Sequence, residues 1–123
     1  MNAGTTDWLD KALQLDAVTA AAICTPDGAA TAKVKEQNAD VAAVEHAVRC
    51  AVDVFAVLRF QKIQTQWLKF EFEKAHFYCT TNTDGHCLGF FVSKDSQPHS
   101  TNQLEQFIAE FAGSPNVHPT DLA

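Results

Sequence analysis

The chain has 123 residues, 46% hydrophobic and 20% charged, a composition that supports one compact domain with its own core. Nine Lys and Arg, scattered singly, face fifteen Asp and Glu for a formal net charge of −6. Phosphate backbones are held by clustered cations, so nucleic acid is excluded as a partner, as is an anionic membrane surface.

Residues 1–17 carry Asp7 and Asp10 and no apolar core of signal-peptide length. No apolar run reaches the roughly 18–20 residues needed to insert across a bilayer. The first helix is expected over Asp7 to Leu15, capped by Thr6, with Trp8, Leu9, Ala12 and Leu13 on one face. Val18 to Thr25 reads as a buried strand. It runs into Thr25-Pro26-Asp27-Gly28, where Pro presets φ at the second turn position and Gly tolerates a left-handed fourth. The return strand covers Ala29 to Lys35, with Lys33 and Lys35 alternating with Ala32 and Val34.

A long helix from Asn38, its expected cap, to Phe60 follows. Valines favour strands, but the length, the alanines and the Glu45–Arg49–Asp53 series at i, i+4 select helix. Glu45, His46, Arg49 and Asp53 fall in one polar stripe roughly 100° wide, and the rest, apart from Arg59, is apolar over roughly 220°. Val41, Val44, Val48, Val52 and Phe55 form the bulky side. Ala43, Ala47, Cys50, Ala51 and Val54 form a smooth, small-residue side. A helix lying on one sheet needs an apolar stripe only somewhat over about 100° wide. The surplus predicts a second contact, most simply with another copy of the chain.

Lys62 to Glu73 is the third strand, with Leu68, Phe70 and Phe72 alternating against Lys69, Glu71 and Glu73, and Trp67 on the charged side. His76 to Thr81 and Cys87 to Ser93 form a hairpin about Asp84-Gly85. After Pro98, a helix from Thr101 to Ala112 has a capping box from Ser100 and Gln103 and a stripe of Leu104, Phe107, Ile108 and Phe111; Gly113 and Pro115 end it. The fold class is thus α+β, in the order α-β-β-α-β-β-β-α, with helices packed on a five-stranded, mostly antiparallel sheet. Residues 1–113 make one domain and 114–123 a flexible tail.

Catalytic chemistry leaves little trace. No Gly-x-Ser-x-Gly, His-Glu-x-x-His or P-loop pattern occurs, and with five glycines no Gly-rich loop can cradle phosphates. No cofactor is expected. His76, Cys79, His86 and Cys87, with His99 nearby, carry zinc-ligand chemistry. However, alternation points His76 away from Cys79 and His86 away from Cys87, which favours ordinary packing over a metal site. Cys24, Cys50, Cys79 and Cys87 show no paired spacing, so free thiols and a cytoplasmic location are expected. Cys50 reads as a buried structural thiol; pairing with a symmetry mate follows only if two such helices touch at this face. His46 beside Arg49 reads as part of a solvated stripe. Arg49 and Arg59 both sit on the long helix, where surface packing accounts for them.

The arrangement resembles the roadblock/dynein light chain family. The resemblance is carried by the apolar strand and Asp-Gly turn of Ala21 to Ala30, the Ala/Val-rich helix of Val41 to Leu58, and the Leu68 to Phe72 strand. The Asp84-Gly85 hairpin with Leu88 to Val92 and the last helix opening Asn102-Gln103-Leu104 complete it. The chain departs from the family pattern in its aromatic-heavy third strand and in the Ser96 to Ser100 loop. Profilin-like and longin-like domains are layered from similar parts in other strand orders.

The resemblance implies homodimers or heterodimers in which the second helix and third strand meet their counterparts, joining two sheets edge to edge. On this chain the dimer interface is expected at Ala43, Ala47, Cys50, Ala51, Val54, Val57, Leu58 and Trp67. It further implies a non-enzymatic regulatory or scaffold role, with a small Ras-like GTPase, a paralogue or a larger assembly as partner. The alternative is a small-molecule sensor with a ligand pocket between helix and sheet.

Overall fold

The computed structural model describes residues 3–36, 40–63, 65, 67–94 and 100–113, with side chains from Asp7 and Gln103 onward in the first and last helices. In chain order the elements are α1 (Ala3–Leu13), β1 (Val18–Cys24), β2 (Ala30–Val34), α2 (Val41–Phe60), β3 (Trp67–Glu71), β4 (Ala75–Thr81), β5 (Cys87–Ser93) and α3 (Ser100–Ala112). The helix and strand order is the one the sequence pattern predicts.

The strands form one five-stranded sheet ordered β2-β1-β5-β4-β3. All its pairings are antiparallel, including the non-local one between β1 and β5, in which Ala21 faces Phe90 and Cys24 faces Cys87. The β1–β2 turn closes with the Thr25 N–H donating to the Ala29 carbonyl at 2.8 Å and with Gly28 at φ +95°. The Asp27 carboxylate accepts from the Thr25 hydroxyl and from the Ala29 N–H, and these two bonds hold its pKa below the usual carboxylate range. Gly85, at φ +86°, supplies the left-handed position in the β4–β5 turn.

Alternation divides the core into two layers. On one face, Val18, Ala21, Ile23, Leu88, Phe90 and Tyr78 pack beneath α1 and α3, which contribute Leu9, Ala12, Leu104, Phe107 and Phe111. On the other, Ala20, Ala22, Cys24, Phe77, Cys79 and Cys87 pack beneath α2 through Val44, Val48, Ala51 and Phe55. Lys33 Nζ meets Asp10 at 2.8 Å and links β2 to α1, an exposed ion pair of little energetic weight.

Several boundaries differ from the sequence expectation. Helix α1 begins at Ala3, so Thr6 lies inside it and does not cap it. The expected cap of α2, Asn38, lies outside the described residues; Asp40 fills the role, its carboxylate accepting from the Ala43 N–H at 3.1 Å. Helix α3 opens at Ser100, whose side chain lies outside the described set, as do the Ser96 to His99 loop and the 114–123 tail. Strand β3 is shorter than the Lys62 to Glu73 run. Lys62 instead closes the end of α2 at φ +62°, with its N–H bonded to the Arg59 carbonyl and the Ile63 N–H to the Leu58 carbonyl.

Candidate functional site

The seat of α2 follows from side-chain size. The helix lies over β1, β2 and β5, where the facing residues Ala20, Ala22, Ala30 and Ala32 allow close approach. The other half of that sheet face carries Leu68 and Phe70 of β3, then Phe72, Phe77 and Phe91. These rings border the seat of the helix, Phe77 buried, Phe70 and Phe91 half-buried and Phe72 exposed. The Phe77 and Phe91 centroids are 4.6 Å apart, and Phe72 meets Phe91 at 5.8 Å.

Between helix and rings runs a groove of about 420 Å³ lined by Ala43, His46, Ala47, Cys50 and Ala51 on one side and by Phe70, Phe72, Phe77 and Phe91 on the other. Its walls are almost wholly apolar. Phe72 is 49% exposed, and among the described residues β3 has a strand on one side only, so the aromatic wall ends at a sheet edge.

The structure brings together four of the eight predicted interface residues: Ala43, Ala47, Cys50 and Ala51. Ala43 and Cys50 are exposed and Ala47 half-buried, whereas Ala51 is covered by the sheet within the protomer and forms only the groove floor. Cys50 is therefore not the buried thiol its position suggests; its Sγ lies 3.5 Å from His46 Nε2. Val54, half-buried, continues the same flank by helical spacing, and Val57 is 59% exposed one turn further on. Leu58 lines a separate recess with Phe55 and Arg59. Trp67 does not join the groove. Strand alternation turns it to the α1/α3 layer, where it stacks on Tyr78 at 5.7 Å and is half-buried.

Three contributors escaped the sequence pattern. His46 borders the groove and is not simply part of the solvated stripe. Phe77, buried, and Phe91, half-buried, supply half of the aromatic wall, and no spacing rule shows that they would border α2.

The cysteine and histidine candidates separate as alternation requires. Cys79 and Cys87 are buried on the α2 face, while His76 sits edge-on to Tyr78 on the other. Among the described residues no group of three or more His, Cys, Asp or Glu could hold a metal ion. Burial pushes the Cys79 thiol up to about 12 and raises Cys24 and Cys87 as well. These three thiols are consequently protonated and poorly nucleophilic. Arg49 donates from Nε to the Gly28 carbonyl at 3.4 Å, tying α2 to the first hairpin. No described helix is long and apolar enough to cross a membrane.

No protein-family model matches the chain, and no curated protein matches it. Solved structures do. Myxococcus xanthus MglB superposes with a TM-score of 0.65 at 11% identity, over 86% of this chain and 89% of that one. A roadblock/LC7 domain from Streptomyces avermitilis gives 0.60 at 12% identity, over 85% and 92%. An MglB with a tetrameric arrangement gives 0.63 at 10%, over 87% and 84%. The element order, the sheet and the layering of this chain are those of the roadblock/LC7 fold.

Proposed function

We propose that this chain is a non-enzymatic, dimerising regulatory or scaffold domain of the cytoplasm that presents a composite surface to a small Ras-like GTPase or a larger assembly. The observation that carries the reading is the apolar groove between α2 and the aromatic strands, continuous with the open edge of β3. A second copy covers it best. Its own small-residue flank and its own β3 edge present a self-complementary surface, as a two-fold interface requires. Pairing the edges also satisfies backbone groups that a lone sheet leaves open. An interface of standard size buries about 1,600 Å² in total, within reach of one helix flank and one strand from each copy. The partner class rests on the resemblance to roadblock domains, and a paralogue could stand in for the second copy.

A metabolite in the same groove is the weaker reading. Ligand pockets set a few convergent polar groups into apolar walls, and here His46 is the sole polar side chain in the lining.

Phe72→Glu tests the proposal, because Phe72 is half-exposed and its ring is not needed to close the protomer core. The variant is expected to keep its circular dichroism and melting temperature measured on monomer, while light scattering shows one chain where the wild type shows two. A wild-type-like dimer in Phe72→Glu would place the contact elsewhere. Cys50 gives a second readout: it should react slowly with a thiol reagent in the wild-type dimer and quickly in the variant.

A further inference from the structure

Away from the groove, three adjoining hollows meet where the end of α2, the β4–β5 turn and the end of α3 come together. The largest is about 620 Å³, and Thr81 belongs to all three. The largest is lined by two cations, Arg59 and Lys62, with Thr65 and Thr81 and with the apolar Phe55, Leu58 and Ile63, and Arg59 and Thr81 line a neighbouring one with Thr83. None of the residues lining the three hollows is acidic, in a chain with fifteen acids against nine bases. Among the described residues neither cation has a carboxylate partner.

Cations at the C-terminal end of a helix ordinarily serve its dipole and its last carbonyls. Here the carbonyls of Val57, Leu58 and Arg59 are already taken by the N–H groups of Gln61, Ile63 and Lys62. Lys62 also holds a left-handed backbone, φ +62°, at the position where glycine is the usual residue. A side chain kept where glycine would relieve strain is one whose head group has a use.

The geometry points to this recess as a binding site for a small organic anion, a phosphate or carboxylate on an apolar body. Arg59 and Lys62 neutralise the anionic group, the threonine hydroxyls donate to its oxygens, and Phe55, Leu58 and Ile63 receive the body. The site is separate from the α2–β3 groove, so its loss and loss of dimerisation are distinguishable.

Phenyl phosphate is a suitable probe, followed by amide chemical shifts on the full chain. It should shift Arg59, Thr65, Thr81 and Thr83 saturably while leaving Phe70 and Phe72 unmoved. Inorganic phosphate should shift the same amides more weakly, and phenol should not shift them. Arg59→Gln should weaken phenyl phosphate by about tenfold, as expected for loss of a charge-assisted contact. Lys62→Gly should weaken it too while raising the melting temperature, a combination that general unfolding cannot produce. Shifts centred on Phe70 and Phe72, an equal response to phenol, or unchanged affinity in both variants would overturn the site.

Discussion

At the scale of single residues, Gly89 shows how little slack the aromatic half of the sheet has. A Cβ built there would lie 2.3 Å from the Phe77 ring, which is itself buried against Phe91. Gly89→Ala must displace that ring, and overpacking of this kind costs about 2 kcal/mol; chemical denaturation should show the loss. A surface pair behaves differently. Lys94 Nζ donates to Glu71 Oε2 at 2.9 Å and, by that bond first and its charge second, lowers the Glu71 pKa. A lowered carboxyl pKa contributes stability that is present above the ordinary carboxylate value and fades as pH falls through the lowered one. Lys94→Met should therefore raise the Glu71 pKa toward that ordinary value in an NMR titration. The acid-side loss of stability attached to this pair should shrink with it. An unmoved Glu71 would mean the pair does not persist in solution.

At the scale of elements, α2 links the two readings of the molecule. Its buried Val44, Val48 and Phe55 match the bulky side that the periodicity gives, and Ala43 the small flank, whereas Ala51 is buried with the valines and Cys50 is exposed. The two sides were legible because a helix exposes its faces at fixed spacing. Strand identities were legible for the same reason, from alternation and from the Asp27-Gly28 and Asp84-Gly85 turns. What the pattern could not supply was which sheet face each helix covers. That depends on β1 pairing with the distant β5, and on the alanines of β1 and β2 drawing α2 away from Phe70 and Phe77. For Trp67 the parity along β3 was legible, but not the α1/α3 layer that its side of the sheet faces. The end of α2 was also hidden, because Lys62 in a left-handed cap breaks the local preference for glycine. Replacing it, as in Lys62→Gly, should stabilise the protein by about 1 kcal/mol, read as a higher denaturation midpoint. Destabilisation would show that the lysine side chain contributes more to the fold than its strain costs.

At the scale of the whole molecule, α1 and α3 cover the centre of one sheet face, and α2 lies over the alanine half of the other. The other half is aromatic, half-exposed at Phe72, and borders the groove that runs to the edge of β3, so the described residues present one continuous apolar surface. Contiguous exposed apolar patches on soluble chains mark interaction sites. The measurement that tests this most directly is sedimentation equilibrium of the wild-type chain across a micromolar dilution series. A two-chain species that gives way to single chains only on strong dilution is expected; a single chain at every concentration would mean that the groove is not a contact between copies.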